Sequence, residues 1–338
     1  MMIREAIGQV VAGQDLTQDE AAQAMNEIME GEATPAQISA FITALRIKGE
    51  TVDEITGMAT TMRRKSLKVT TDGLLVDTAG TGGDGQNTIN VSTAAALVAA
   101  AAGVKMAKHG NRAASSACGS ADVLEACGVK VDLGPDGVKR CMEEVGFGFM
   151  FAQAFHPAMR HAGGPRREIG IRTVFNILGP LTNPASAHAQ LLGVADPIVG
   201  EKMAQALGRL GTRRAMVVHG EEGLDEISIA GPTMVWELSG GKVRTYTVTP
   251  EDAGLARAPT KAILGGSKEE NARHLRAVLQ GKGGPMLDVV LLNAAAALVV
   301  GGNAPDLREG VQQAREAVAS GAAIETLEAL AKLSQTLE

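Results

Sequence analysis

A glycine-rich segment between a buried strand and a helix most constrains how this chain folds. Residues 77–93 read DTAGTGGDGQNTINVST, after the apolar residues 74–76 and before the alanine-rich residues 94–102, which are typical of a helix. Such a strand-to-helix turn directs backbone N–H groups and the positive end of the helix dipole at one point, which favours phosphate binding. The turn also carries Asp84, and a carboxylate beside phosphates indicates a ribose hydroxyl or a bridging cation.

The glycines of this segment also have a simpler explanation. Gly80, Gly82, Gly83 and Gly85 can serve only to permit positive φ in a tight loop. The segment matches neither the dinucleotide-binding fingerprint nor the Walker lysine motif. Its small polar side chains are Thr81, Thr88, Asn90, Ser92 and Thr93. They offer more donors than a plain turn needs, and we therefore predict a phosphate site.

The composition limits the classes of function. With 338 residues, 45% of them hydrophobic, the chain can bury a large core and form two domains. Its net charge of −6 and its short basic run, residues 63–65, argue against nucleic acid as a partner. Cys118, Cys127 and Cys141 lack paired spacing, which suits a reducing cytoplasm. No charged-then-apolar leader opens the sequence and residues 294–300, its longest apolar stretch, are too few to span a bilayer, so we expect a cytoplasmic protein without a membrane partner.

Two kinds of periodicity divide the chain. Over roughly the first 65 residues, apolar positions recur at helical spacing after Thr17, Thr34 and Thr51, which predicts an all-helical region. From residue 74 onward, strand-like runs alternate with amphipathic helices such as residues 199–210. The runs are residues 104–108, 129–133, 189–194 and 215–219, with an edge strand at residues 242–248. The predicted fold is α/β, with a small all-helical domain and a larger α/β domain whose mostly parallel central sheet is flanked by helices.

A second polar loop follows the strand predicted at residues 104–108. Residues 108–122 read KHGNRAASSACGSAD and lead into a predicted helix. The donors of this loop are Lys108, His109, Asn111, Arg112, Ser115, Ser116 and Ser120. Taken singly, such charges can be solvated and such serines can cap a helix. Ligands of open α/β sheets bind at the carboxyl ends of strands, however, so two polar loops from consecutive strands should face one crevice.

Two further motifs carry charges that a phosphate crevice can use. Asp225 and Glu226 follow a predicted strand that ends at residue 219. Adjacent carboxylates on a loop are often only solvated, but Mg²⁺ prefers a few carboxylate oxygens plus substrate phosphates, and the pair is well placed to hold it. Arg166 offers a planar fork for an anionic aromatic partner, whereas its neighbour Arg167 can be structural.

The motifs GTGGD, NVST, KHGNR, GSAD, HPAM, GPLTNP and DEIS, in this order over nearly the whole chain, resemble the anthranilate phosphoribosyltransferase family. The resemblance implies transfer of the phosphoribosyl group from phosphoribosyl pyrophosphate (PRPP) to the amine of anthranilate, giving N-(5-phosphoribosyl)anthranilate and pyrophosphate, in tryptophan biosynthesis. It also implies Mg²⁺ as a cofactor and a homodimer joined through the helical domain. The domains would be residues 1–70, joined by helices within about residues 166–186, and residues 71–338.

The resemblance also assigns site residues by position. For PRPP they are Gly80, Gly83, Asp84, Thr88, Asn90, Val91, Ser92, Thr93, Lys108, His109, Gly110, Asn111, Arg112, Ala113, Ala114, Ser115, Ser116 and Ser120. For anthranilate they are Gly80, Asn111 and Arg166, and His156 in FHPAM is a further candidate, although a lone histidine is often structural. For Mg²⁺ they are Asp225 and Glu226, with Ser92 at a second position. Ala117 and Cys118 stand where relatives commonly have lysine and serine, which leaves the contacts of that loop open.

The implied reaction needs no acid or base. An aromatic amine is unprotonated at neutral pH, so its lone pair can attack C1 of the ribose directly, with inversion. A positively charged ribosyl-like transition state and a departing pyrophosphate must be stabilised instead. The candidates for this are Lys108 and, through Mg²⁺, Asp225 with Glu226.

Two alternative functions remain open at this point. Pyrimidine nucleoside phosphorylases have a fold similar to the one implied and also use a glycine-rich phosphate loop, but the combination of Asp84, NVST and KHGNR speaks against them. A non-catalytic paralogue could keep the fold as a binding module for nucleic acid. The acidic net charge and the Asp225–Glu226 pair speak against that.

Overall fold

A computed structural model describes residues 2–113 and 117–337. Its strands are β1 (Leu75–Gly80), β2 (Lys105–Gly110), β3 (Phe147–Phe151), β4 (Ala189–Gly193), β5 (Arg214–Gly220), β6 (Thr233–Ser239) and β7 (Lys242–Val248). They form one sheet in the order β3-β2-β1-β4-β5-β6-β7. The first five of these run parallel, and β6 and β7 are added antiparallel at one edge. The mostly parallel sheet and the edge strand at residues 242–248 are confirmed.

Four helices precede the sheet: α1 (Ile3–Val11), α2 (Gln18–Glu30), α3 (Pro35–Lys48) and α4 (Val52–Lys65). The last three begin where the sequence predicts, because Thr17, Thr34 and Thr51 each accept a hydrogen bond from the third backbone N–H of the helix. A Glu or Gln at that third position completes each capping box. These closely spaced start signals therefore specify the helical region locally.

The remaining helices flank the sheet. They are α5 (Val91–Ala101), α6 (Ser120–Ala126), α7 (Pro135–Val145), α8 (Ala152–Phe155), α9 (Arg160–Ile169), α10 (Val174–Leu178), α11 (Gly200–Arg209), α12 (Lys268–Leu279), α13 (Pro285–Gly301), α14 (Leu307–Ala319) and α15 (Ala322–Ser334). Helices α5 and α13 are apolar on nearly all sides and lie buried together against one face of the sheet. Alanine lets them approach closely, which offsets an aromatic content of only 2%.

The four-helix region shares a hydrophobic core with the other face of the sheet. Leu192 of β4, Val217 of β5 and Trp236 of β6 belong to the same buried cluster as Phe41 of α3. Half-buried Arg63 of α4 spans this boundary, since its Nε and Nη1 donate to the carbonyls of Leu181 and Leu210 at 2.7 and 2.9 Å. Helices α9 and α10 pack against α3 as well, which holds the segment around residue 172 between the helices and the sheet.

One predicted strand is wrong. Residues 129–133 are extended but do not join the sheet, because the Lys130 N–H donates to Ser334 Oγ of α15 at 3.0 Å. The missing parallel partner of β2 is β3, whose five buried residues gave no alternating pattern to recognise. In the part of the chain that the structure describes, no helix has the length and apolar character needed to cross a membrane.

Candidate active site

A cleft of about 370 Å³ lies at the carboxyl ends of β1, β2 and β5, where the sequence predicts a crevice. The residues predicted for PRPP that line it are Gly80, Gly83, Asp84, Thr88, Asn90, Val91, Ser92, Thr93, Lys108, His109, Gly110, Asn111, Arg112, Ala113 and Ser120. Arg166, Asp225 and Glu226 line the same cleft. The predicted residues Ala114, Ser115 and Ser116 lie outside the described residues.

The glycine-rich loop between β1 and α5 has the backbone that its sequence requires. Gly82, Gly83 and Gly85 have φ of 65°, 71° and 72°. The Gly82 N–H donates to Asp225 Oδ2 at 2.7 Å, and Gln86 Nε2 donates to the Glu222 carbonyl at 2.8 Å. The loop after β5 therefore holds the glycine-rich loop from one side.

The loop leads into the N-terminus of α5, which faces the cleft. Thr93 is buried and lines the cleft, yet its hydroxyl has no hydrogen-bond partner among the described residues. The Ser92 N–H donates to Glu226 Oε1 at 3.0 Å. A buried hydroxyl without a partner, beside the positive end of an 11-residue helix, is a suitable donor for an anion.

The far end of the glycine-rich loop is fastened by a segment that the sequence did not single out. Asn271 of α12 donates to Asn90 Oδ1 at 3.0 Å and accepts from the Gly266 N–H at 2.8 Å. Asn90 in turn donates through Nδ2 to the Cys118 carbonyl at 2.9 Å. This chain of amides connects the first polar loop to the second.

Lys108 lies behind the N-terminus of α5. It is 2% exposed, and its Nζ donates to the Thr78 carbonyl at 2.5 Å, to Thr78 Oγ1 at 3.3 Å and to Ser92 Oγ at 3.2 Å. Burial lowers the pKa of Lys108, and the charges of Asp77 and Glu226 oppose this. Burial likewise raises the pKa of Asp77 to about 6, with Lys108 as the main opposing charge. The Lys108 amino group is thus held at the floor of the cleft by Thr78 and Ser92.

Two buried histidines adjoin Lys108, but only one of them reaches the cleft. His109 lines it, whereas His156 is not among the lining residues. The two rings have centroids 5.1 Å apart, and burial lowers their pKa to about 3 and about 4, respectively. His156 lies near the Thr182 backbone, but neither of its ring nitrogens has a hydrogen bond of good geometry within the described residues. The structure therefore places His156 behind the cleft wall and not in contact with the cleft.

The second polar loop is fastened by the helix that follows it. Asp122 Oδ2 accepts from the N–H groups of Ala113 and Gly119, both at 2.9 Å. Arg112 pairs with Glu125, and its guanidinium lies 5.3 Å from the centre of the Phe151 ring. The Arg112 charge is thus already matched by an acidic side chain of α6.

Asp225 and Glu226, on the loop after β5, face Asp84 of the glycine-rich loop across the cleft. Burial raises the pKa of Asp225 to about 6, helped by the charge of Asp84, and burial together with Asp225 raises the pKa of Glu226 well above its usual value. A Cβ at Gly80 would lie 2.4 Å from Asp225 Oδ2, so glycine is required at the end of β1 for this approach. The excess negative charge suits a divalent cation. No set of three His, Cys, Asp or Glu residues surrounds one point in the described residues.

Two arginines line the cleft opposite the carboxylates. The Arg166 guanidinium lies 5.0 Å from the centre of the Phe175 ring, and burial lowers its pKa. Arg172 is exposed and donates through Nη1 to the Gly82 carbonyl at 2.7 Å. The charge of Arg172 acts on Asp225, where it opposes the rise in pKa, but neither arginine forms an ion pair within residues 2–113 and 117–337. Both can therefore pair with an anion in the cleft.

Family models match both parts of the chain. One described as "Glycosyl transferase family, helical bundle domain" matches residues 4–66, and one described as "Glycosyl transferase family, a/b domain" matches residues 72–324. The chain is also 59% identical over 337 residues to the anthranilate phosphoribosyltransferase of Chloroflexus aggregans, with 99% of each chain covered. The chain belongs to the anthranilate phosphoribosyltransferase family. The resemblance inferred from the seven motifs is confirmed.

Solved structures of the family have the same fold. The Thermus thermophilus enzyme is 48% identical, with a TM-score of 0.93 over 98% of this chain and 99% of that one. The Saccharomyces cerevisiae enzyme in complex with PRPP and Mg is 30% identical, with a TM-score of 0.91 over 99% of this chain and 98% of that one. These similarities confirm the fold of a helical bundle followed by an α/β domain.

The family motifs account for most of the cleft, but several residues that shape it went unpredicted. They are Arg172, Phe175, Asp122 and Asn271. Arg172 lies only six positions after Arg166 in a segment with three arginines, which was a usable signal. Asp122 ends the GSAD motif, but the motif assigned it no role, and Asn271 offered no signal because it resembles an ordinary polar residue of an amphipathic helix.

Proposed function

We infer that the chain transfers the phosphoribosyl group of PRPP to the amine of anthranilate and releases pyrophosphate, the reaction that gives N-(5-phosphoribosyl)anthranilate in tryptophan biosynthesis. The observation that carries this inference is the two-sided cleft. One side offers a helix N-terminus with glycine-loop amides, and the other offers Arg166 stacked on Phe175 without an acidic partner within the described residues. A phosphorylated sugar and an aromatic carboxylate need these two different surfaces.

PRPP binds on the glycine-rich side. The backbone amides of the positive-φ loop and the free Thr93 hydroxyl act as donors to phosphate oxygens, and Asp84 lies where a ribose hydroxyl can donate to it. The buried ammonium of Lys108 adds positive charge below the same site. On this side of the cleft, backbone dipoles and the buried Lys108 ammonium balance most of the negative charge of PRPP.

Anthranilate binds on the Arg166 side. A half-buried guanidinium pairs strongly with a carboxylate, because water competes poorly there. The apolar surfaces of Ala152, Phe175 and Pro180 line the cleft and can contact the aromatic ring. Gly80 and Asn111 also line the cleft, as the family resemblance implies for this substrate.

Alignment and charge stabilisation account for catalysis. The amine attacks C1, the C1–O bond to pyrophosphate breaks, and the amine proton is lost to solvent after bond formation. His109 is held neutral by burial and His156 lies outside the cleft lining, so neither is required as an acid. The rate enhancement comes from holding the two substrates in line and from positive charge near the leaving group.

Asp225 and Glu226 would hold Mg²⁺, with Ser92 at a second position. Their oxygen donors suit this cation, and burial, together with the charge of a neighbouring carboxylate, raises their pKa values. When bound, Mg²⁺ supplies Lewis-acid stabilisation of charge on the pyrophosphate. The protein's own part is to direct these two carboxylates toward the glycine-rich loop, which they already contact through the N–H groups of Gly82 and Ser92.

The function is tested by mixing purified protein with PRPP, Mg²⁺ and anthranilate and following the loss of anthranilate fluorescence. We expect turnover that requires all three components. A parallel assay with pyrimidine nucleosides and phosphate should show none. Phosphorolysis without anthranilate consumption would overturn the proposal and favour the nucleoside phosphorylase alternative.

We also propose a homodimer through the helical domain, residues 1–70, with residues 71–338 as the second domain. Val11 and Ile47 in the helical region are 70% and 82% exposed, which supports an apolar contact surface there. Sedimentation velocity should give twice the chain mass. A Val11→Asp, Ile47→Asp variant should shift the protein toward the monomer, and an unchanged dimer would exclude this surface.

A further inference from the structure

Arg172 occupies a junction between the two sides of the cleft. It lies in the short connection between α9, which carries Arg166, and α10, which carries Phe175. It lines the main cleft and also a small adjoining cavity of about 30 Å³ that reaches Arg46 of α3. Its side chain therefore meets the glycine-rich loop from the side that carries the anthranilate-binding candidates.

Arg172 contacts the backbone of the glycine-rich loop at Gly82, where the absence of a side chain allows many backbone conformations. Nη1 of Arg172 donates to the Gly82 carbonyl at 2.7 Å, and the Gly82 N–H donates to Asp225 Oδ2 at 2.7 Å. The two peptide groups that flank the Gly82 Cα are thus each held by a different side chain. Because Gly82 has φ of 65°, in a region that glycine leaves freely, these two bonds restrict a backbone that would otherwise sample many conformations.

The neighbouring glycine is fitted to the same guanidinium. A Cβ at Gly83 would lie 1.6 Å from Arg172 Nη1 and 2.8 Å from its Cζ. No side chain can occupy position 83 while Arg172 keeps its place. The glycine at this position therefore makes room for the arginine as well as for a substrate.

We propose that Arg172 is a positioning residue for PRPP: it fixes the Gly82–Gly83 turn against Asp225, so that the loop is already arranged when the substrate arrives. This rests on the proposed function, because it assigns the loop to PRPP. Among the described residues the guanidinium forms one hydrogen bond and no ion pair, although its charge acts on Asp225, and it lines the cleft. It acts through the loop backbone, not on the reacting atoms.

The test compares Arg172→Gln with Arg167→Gln. Arg167 is exposed, lies in the same segment, carries the same charge and does not line the cleft, so it controls for net charge and for local helix effects. Hydrogen exchange of the amides of residues 80–88 is measured in the free protein, and KM is measured for both substrates. Melting temperatures verify that both variants fold.

We expect faster exchange of the loop amides in Arg172→Gln only. We also expect a rise of about ten-fold in KM for PRPP, the effect of losing one hydrogen bond to a charged group, with KM for anthranilate changed less than about two-fold. Unchanged loop exchange would overturn the proposal even if KM rises, since it would make Arg172 a direct ligand. Equal changes in both KM values, or the same changes in Arg167→Gln, would overturn it too.

The two measurements, hydrogen exchange of the loop and substrate turnover, distinguish failure of this inference from failure of the proposed function. Loop exchange in the free protein does not depend on which substrate the cleft accepts. If the parent protein turned over neither substrate, the function would fall while the exchange result still decided whether Arg172 holds the loop. If turnover were normal and exchange unaltered, only the role of Arg172 would fall.

Discussion

The two polar loops of the cleft are held in place by different means. The first, between β1 and α5, is fastened by side chains remote in sequence: Gly82 lies 143 residues from Asp225 and 90 from Arg172, and Asn90 lies 181 from Asn271. The second loop is fastened by Asp122, only nine residues from Ala113 and three from Gly119. The first loop therefore depends on the folded domain, whereas the fastening of the second forms with α6.

The largest effect is expected from the two carboxylates that face the first loop, Asp225 and Glu226. We expect Asp225→Asn with Glu226→Gln to lower kcat at least about a hundred-fold, because several kcal/mol of charge stabilisation through the cation are lost. The amide side chains introduced at positions 225 and 226 can still accept hydrogen bonds from the N–H groups of Gly82 and Ser92, so folding should be normal. Steady-state rates at saturating Mg²⁺ decide the matter. A kcat near that of the parent would remove Asp225 and Glu226 from the metal assignment.

The pH dependence of folding stability gives a second test of the Asp225→Asn, Glu226→Gln variant. Because burial raises the pKa of Asp225 to about 6, the folded protein keeps a proton that the unfolded chain releases near its usual pKa of about 4. Stability from this group is therefore present below about pH 4 and is lost as the pH rises through about 6. The parent should lose more stability than the double variant between pH 4 and about 7 in denaturant titrations. Identical pH dependence would show that burial does not raise the pKa of Asp225 or Glu226 in the folded protein.

A change at Gly83 should abolish PRPP binding without unfolding the protein. A valine would be strained at φ of 71° and would displace Arg172, besides meeting the substrate. Since the loop lines a cleft and not the core, Gly83→Val should cost the ordinary 0.5 to 3 kcal/mol or so of a point substitution. Calorimetric titration with PRPP and a melting curve measure both effects. Binding at the parent affinity by a folded variant would contradict the phosphate-loop assignment.

The other side of the cleft is tested at Arg166. Arg166→Ala should raise KM for anthranilate by about ten- to a hundred-fold, because a charge-assisted pair contributes about 1.5 to 3 kcal/mol. KM for PRPP should change little, since Arg166 stacks on Phe175 and forms no hydrogen bond to the glycine-rich loop in the described part of the chain. Arg167→Ala, one position along, is the matched control. Parallel changes in both KM values would argue against two separate surfaces.

The same contrast explains what the sequence could predict. The chemistry of the first loop was readable because its glycines, Asp84 and hydroxyls are contiguous, and the threonine caps of α2 to α4 were readable because a capping box spans four residues. The residues that hold the first loop could not be predicted, because Arg172 and Asn271 contact it only after distant segments of the chain have folded together. His156 was a candidate by motif alone, and the fold places it behind His109. Strand β3 was missed because burial on both faces removes the alternation that marks a strand.

The smallest expected effects come from removing Asn271, which holds the first loop from far away in sequence, and Asp122, which holds the second loop from nearby in sequence. Asn271 is itself buried, and Asn271→Ala leaves the half-buried Gly266 N–H and Asn90 Oδ1 without their partner, which should lower the free energy of unfolding by about 1 to 3 kcal/mol and raise KM for PRPP a few-fold. Asp122→Ala frees the Ala113 and Gly119 N–H groups beside solvent, so stability should fall by less than about 1 kcal/mol.

Exchange rates distinguish the two cases most directly. In Asp122→Ala the amides of Ala113 and Gly119 should exchange faster while residues 80–90 stay protected, because no bond of Asp122 reaches the first loop. In Asn271→Ala the loosening should instead spread from residue 90 through the Cys118 carbonyl to the second loop, since Asn90 bonds both. Asp122→Asn, which keeps an oxygen acceptor, is the control and should resemble the parent. If Asp122→Ala loosened both loops equally, the second loop would have to be fastened through the first, and the contrast between remote and local fastening would be wrong.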